Sequence, residues 1–282
     1  MSAENVAVRE LIAWGLDVYS HRSITRQEEL EEHIERAQQS LVERECHDDC
    51  SALLEDETEN IKHLLPQHGL RPDLHEEFRG LDWTLGVVDL RRLLAFQRRL
   101  IFSANENDSP VPQRDDWSQL IPLAFGSRRE TKHLVVCHTN RSDGLDVSLY
   151  TTNPDLKLQL KPLFGRNDSL PLSLYGGSPF FEVAAFRGRW FLRDGYHRAY
   201  RLLKAGVDRF PAVVIYARTL GEVGATEPWF FNEDHLFSNR PPRVIDFLDD
   251  CMVLQYERAA FQKVIRIRIE ESMQTIDGTD EG

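Results

Sequence analysis

Hydrophobic and polar positions are most clearly ordered across residues 180–216, FFEVAAFRGRWFLRDGYHRAYRLLKAGVDRFPAVVIY. Two runs rich in aromatic and branched residues, 180–186 and 189–192, flank Arg187-Gly188 and predict a β-hairpin. Asp194 then stands where a helix N-cap belongs, because its carboxylate can accept the N–H groups of a first turn. Tyr196, Ala199, Leu202 and Leu203 follow at three- and four-residue steps, a helical stripe. Lys204 falls in the last turn and Gly206 just past it, the usual stop signal. Residues 210–216, with Pro211 near their start, predict a short buried strand. The order is hairpin, helix, strand, with Asp194-Gly195-Tyr196-His197-Arg198 at the turn into the helix.

Away from this block the pattern is helical first. Val8, Ile12, Leu16 and Tyr19 lie along one face of a first helix, and Thr25 with Glu28 resembles a capping box for a second. Leu30, Ile34, Ala37 and Leu41 continue that second helix, and Leu54, Ile61 and Leu65 mark a third that ends near Pro66. Gly69, Pro72 and Gly80 make 68–83 a linker. Residues 87–90 predict a strand, 93–102 a short helix, and 103–118 a polar loop or lid. Residues 133–139 and 145–151 read as a second hairpin, and Leu156, Leu158 and Leu160 alternate before Pro162. Gly176-Gly177-Ser178-Pro179 reads as a turn. Pro228-Trp229-Phe230-Phe231 suits a packed loop or a lid, and 244–256 looks helical. Residues 264–270 fit a strand or a helix equally, and a disordered tail is expected from about Gln274.

Charge sharpens the division. The chain has 282 residues and a formal net charge of −12, but residues 1–80 hold 19 Asp or Glu against 8 Arg or Lys, so the acidity belongs to that segment. Neither half offers a broad basic face, which makes nucleic acid an unlikely partner class. Four scattered cysteines, no basic-then-apolar leader pattern and no long apolar run predict a soluble, cytoplasmic protein without a membrane partner. Cys46-His47-Asp48-Asp49-Cys50 lacks a second well-spaced ligand pair, so no metal site is expected there.

The 194–198 turn is the candidate site. A helix N-terminus has unsatisfied N–H donors and partial positive charge, which suits an anion. Gly195 would let a ligand approach the backbone, Arg198 would grip phosphate oxygens in a fork, and His197 would donate to them or move protons. Between Glu182 and Arg209 there are seven Arg or Lys against three Asp or Glu, a local positive surplus. The alternative reading is structural, with Asp194 a cap, His197 a surface histidine and Arg198 the partner of Asp194.

Asp194-Gly195-x-His197-Arg198, followed by Ala199, Lys204-Ala205-Gly206 and Pro211-Ala212-Val213, resembles the signature of the ParB/sulfiredoxin-like superfamily. Val87-Val88-Asp89-Leu90-Arg91-Arg92-Leu93 with Gln97 is similar to the first strand and turn of such domains. Sulfiredoxins carry a catalytic cysteine where this chain has Tyr196, and the helix-turn-helix and CTP motif of partitioning ParB proteins are missing, so neither activity is implied. The resemblance implies a ParB/sulfiredoxin-like domain at 81–217 with a β-rich insertion at about 103–178; with the acidic helical segment at 1–80 before it and a partly helical C-terminal extension with a disordered tail at 218–282 after it, the fold expected is α+β. It also implies nucleotide or phosphate binding through Gly195, Tyr196, His197 and Arg198. Asp194 and His197 would be catalytic if the protein is a small-molecule phosphotransferase, working with a nucleoside triphosphate or diphosphate and Mg²⁺. The competing expectation is a non-catalytic interaction or regulatory module, with residues 1–80 contacting a protein partner or a second copy; a DNA-binding or nuclease role ranks third.

Overall fold

The computed structural model describes residues 5–18, 27–103, 110–126, 134–141, 144–151, 156–160, 172–175 and 177–270. In chain order the elements are β1 (Asn5–Leu11), α1 (Gln27–Glu43), α2 (Glu55–Ile61), α3 (Pro66–Gly69), α4 (Pro72–Glu77), β2 (Trp83–Asp89), β3 (Arg99–Ser103), α5 (Trp117–Ala124), β4 (Leu134–Arg141), β5 (Gly144–Thr151), β6 (Lys157–Leu160), β7 (Leu172–Tyr175), β8 (Glu182–Phe186), β9 (Arg189–Asp194), α6 (Tyr196–Lys204), β10 (Arg209–Tyr216), α7 (Leu220–Val223), α8 (Glu233–Leu236), β11 (Val253–Ala259) and β12 (Lys263–Glu270). The fold is α+β. Tyr19, the Thr25 cap, residues 104–109 of the expected loop, 142–143, Asn153-Pro154, Pro162, Gly176 and the tail from 274 lie outside the described residues.

The chain forms two compact units, each made of separated segments: Met1–Arg128 with Ser178–Ala259, and Arg129–Gly177 with Ala260–Gly282. This differs from the expected boundaries. Residues 1–80 belong to the same unit as the hairpin and helix, the insertion begins near 129, and the C-terminal extension is shared between the two units.

At the centre of the first unit is a four-stranded sheet in the order β2-β10-β8-β9. The β8–β9 hairpin turns at Arg187 (φ 51°) and Gly188 (φ 78°), both left-handed, as a two-residue turn that follows strand twist requires. Helix α6 then carries the chain to β10, which lies parallel to β8 and antiparallel to β2. Tyr196, Ala199 and Leu202 are its buried stripe, as their spacing predicts. Pro211 is tolerated in the central strand because β10 pairs with β8 only from Val213 onward.

A second sheet, β11-β1-β3, corrects the expected first helix. Residues 5–11 form a strand: Val6 and Val8 are buried alternately, and both edges are paired, to β3 and to β11. The three- and four-residue spacing of Val8, Ile12 and Leu16 mimicked a helix, but β-branched residues with partners on both sides favour the sheet. Residues 244–256 are likewise not a helix; a short 3-10 turn at Val244–Leu248 leads into β11, which β1 requires as a neighbour.

Two further expectations change. The 68–83 stretch is not a linker, since α4 starts at Pro72 and puts Leu74 and Phe78 into the core. The 93–102 stretch is not a helix, because its backbone is taken by distant segments. Leu94 N–H donates to the Trp190 carbonyl (2.8 Å), and the Leu94 carbonyl accepts from Leu192 N–H (2.9 Å). Leu93 accepts from Val244 N–H and Ala95 donates to Pro242 (2.9 Å each). The expected α1 forms, with Leu30 and Ala37 buried, and the third helical piece forms as α2 plus a 3-10 turn.

In the second unit, β4 and β5 make the expected hairpin pairing. Residues 264–270 resolve as strand, for β12 pairs antiparallel with β5 along its whole length. The alternation at Leu158 and Leu160 becomes β6, paired with β7.

Because β1 is the middle strand of its sheet, removing residues 1–11 strips both β3 and β11 of their partner. The truncated chain is expected to lose its cooperative thermal transition and its near-ultraviolet dichroism. A truncated protein melting like the full chain would show that the sheet does not depend on β1.

Candidate functional site

The 194–198 turn lies where β9 meets α6, and each of its side chains has a definite place. Asp194 ends β9, one residue before the N-cap position. The N-cap is Gly195, at φ +102°, which has no side chain of its own to cap the first turn. A Cβ on Gly195 would sit 2.5 Å from Cδ2 of Phe181, so the glycine is required by both its left-handed backbone and the ring packed against it. The close approach that a ligand was expected to make is made by Phe181.

Tyr196 points into the core and is 4 % exposed. Its hydroxyl accepts from the N–H groups of Phe96 (3.0 Å) and Gln97 (3.4 Å), and its ring meets Phe96 edge-on at 5.8 Å. Burial pushes the phenol well above its ordinary pKa. Arg198 is a clamp: Nη1 donates to the Leu123 (3.2 Å) and Pro179 (2.9 Å) carbonyls, and Nη2 to the Phe180 carbonyl (2.6 Å). It thereby satisfies a carbonyl at the C-terminal end of α5, which has no partner inside that helix, and binds α6 to the segment leading into β8.

His197 places Nε2 3.0 Å from the Ile101 carbonyl and meets the Phe102 ring edge-on at 5.2 Å. Asp194 keeps the most solvent contact of the two charged partners: its side chain is 40 % exposed against 23 % for Arg198, and the two approach to 3.7 Å. The structure thus brings Asp194 and Arg198 together as the structural alternative expected. It turns His197 toward β3 and Tyr196 into the interior.

Glu182 belongs to none of the sequence motifs. It faces Asp194 across the β8–β9 pair and is 1 % exposed, with an ion pair to Arg193. Burial raises its pKa, and the charge of Arg193 only partly offsets this. An acid inside the apolar run FFEVAAF was the available signal. Nor do the motifs single out the face of α6 that starts at His197 and continues through Tyr200 to Lys204, at three- and four-residue steps. Tyr200 and Lys204 line an open hollow of about 510 Å³.

Among the described residues no three His, Cys, Asp or Glu side chains are grouped closely enough to hold a metal ion. No helix among them is long and apolar enough to cross a membrane. Comparison with protein families, curated proteins and solved structures finds no match, so the resemblance of the turn rests on its own residues.

Gly195→Ala is expected to cost about 1–3 kcal/mol from backbone strain alone, with Phe181 adding to it, whereas Asp194→Asn should stay within ~0.5 kcal/mol. Urea unfolding of both variants checks this; equal losses would restore Asp194 as a cap. Glu182 generates a pH expectation. A carboxyl with a raised folded pKa holds its proton more tightly when folded, so its contribution to stability is lost as pH rises above its ordinary value. Glu182→Gln should flatten the fall in stability above about pH 4.5, and identical pH profiles for variant and parent would exclude this role.

Proposed function

We propose that the protein is a non-catalytic binding module in which the 194–198 turn is a structural lock that fixes α6. The observation that carries this reading is the Arg198 guanidinium, which donates to three backbone carbonyls from two different segments. Gly195 packed on Phe181 and Tyr196 buried beneath Phe96 support the same reading. A partner surface consistent with it is the outer face of α1, where Glu28, Glu31, Glu32 and Glu35 are exposed and a basic partner would find complementary charge.

A second reading keeps the turn as a nucleotide or phosphate site, with Asp194 taking a substrate proton or binding Mg²⁺. The glycine at the N-cap, which offers no side chain of its own to the first-turn N–H groups, favours it, since an anion suits that position. Calorimetric titration with ATP, ADP, CTP and GTP, with and without Mg²⁺, separates the two when run beside Arg198→Ala. The lock reading expects no saturable heat from any nucleotide, and a loss of roughly 2–4 kcal/mol of stability in the variant as the three charge-assisted bonds disappear. Saturable binding that vanishes in Arg198→Ala at an unchanged melting temperature would overturn the lock and install the phosphate site.

A further inference from the structure

The hollow beside α6 has a definite construction. Its floor is one face of the β11-β1-β3 sheet, where Ala7 lies in register with Phe102 on one side and Glu257 on the other. A methyl group between two large side chains leaves the floor sunken, which is why a hollow exists at that position. One wall is α6, presenting Tyr200 and Lys204. Arg9 follows Ala7 on the same face, and its guanidinium lies 5.6 Å from the centre of the Tyr200 ring. The Lys204 ammonium lies 6.0 Å from the same ring.

The two cations differ in how they are held. Arg9 is fixed: Nε donates to the Phe247 carbonyl (3.0 Å) and Nη2 to Asp250 Oδ1 (2.7 Å), and its side chain is 13 % exposed. Lys204 is exposed and has no carboxylate partner among the described residues. Between them stands an aromatic ring, with Phe102 beside it at 5.3 Å. An anionic group at this end meets the exposed Lys204 ammonium, with the Asp250-paired Arg9 guanidinium also beside the Tyr200 ring, while a flat apolar body would lie on Ala7 against the rings. Glu257, in register with Ala7 on the β11 side, adds a negative charge that opposes a chain of several phosphates. The volume falls within the 300–1,000 Å³ typical of small-molecule sites.

We infer that this groove binds a small organic monoanion with a flat aromatic body, of the aromatic carboxylate class. The site uses none of the lock contacts of the turn, so it stands whether that turn is structural or binds phosphate.

The test is calorimetric titration of the full chain with naphthalene-1-carboxylate, with the neutral carboxamide and inorganic phosphate as controls. Saturable binding of the carboxylate is expected, with the amide at least about five-fold weaker, the effect of one exposed charge pair. Ala7→Leu fills the floor and should abolish binding, while Lys204→Gln should weaken it about five-fold. Both positions are exposed, so melting temperatures should hold. Should Ala7→Leu disturb the sheet, Lys204→Gln still decides. No binding of the carboxylate, equal binding of the amide, displacement by equimolar phosphate, or unchanged affinity in Lys204→Gln would each overturn the site.

Discussion

A buried stretch of backbone that is neither helix nor strand must find a partner for every polar group it carries, and residues 93–97 are such a stretch. Leu93, Leu94 and Ala95 are fully buried and Phe96 is nearly so. An orphaned N–H or carbonyl there would cost as much as a lost hydrogen bond, without water to offset it. Apart from the local bond of Leu93 N–H to the Leu90 carbonyl, the partners come from four places: β9 through Trp190 and Leu192, the segment at Pro242 and Val244, Phe231, and the hydroxyl of Tyr196. Each of those must already be in position for the others to work. This mutual requirement holds the four-stranded sheet, α6 and the C-terminal segments in one unit.

Seen from this stretch, the turn after β9 has a different character from the one its residue types suggest. Tyrosine supplies an oxygen to backbone amides 99 and 100 positions earlier in the chain, and arginine does the reverse for carbonyls. Both act as substitutes for secondary structure where the chain has none. Fixing the first turn of α6 in this way leaves the rest of the helix pinned in direction, with Tyr200 and Lys204 facing the β1 sheet. Rigid placement of a helix face is what allows a shallow hollow beside it to keep a constant shape.

Residues 180–216 were legible because their signals are local. A left-handed pair at Arg187-Gly188, a stripe at Tyr196, Ala199 and Leu202, and Gly206 after the last turn each declare themselves within a few positions. The failures share the opposite property. Residues 5–11 became a strand because of β3 and β11, and 93–98 stayed irregular because of Trp190, Pro242 and Tyr196. No short window contains those partners. The same holds for chemistry: the residue types at 194–198 suit an anion, but the direction of the Arg198 fork depends on carbonyls at Leu123, Pro179 and Phe180. The hollow was hidden for a related reason. Its α6 half has readable spacing, but its Ala7 and Arg9 half lies in a stretch whose Val8, Ile12 and Leu16 spacing reads as helix and hides the strand.

The middle position of β1 also bears on how the chain is made. Glu10 and Tyr256, hydrogen-bonded in the finished sheet, are 246 positions apart. On a ribosome, at roughly 5–20 residues per second, β1 would wait on the order of tens of seconds before β11 emerged. During that time Val6 and Val8 sit on a strand with an unpaired edge, a template for any other extended segment nearby. Until β11 emerges, that edge is open to a chaperone or to a transient contact within the chain. For this fold the vulnerable period is translation itself.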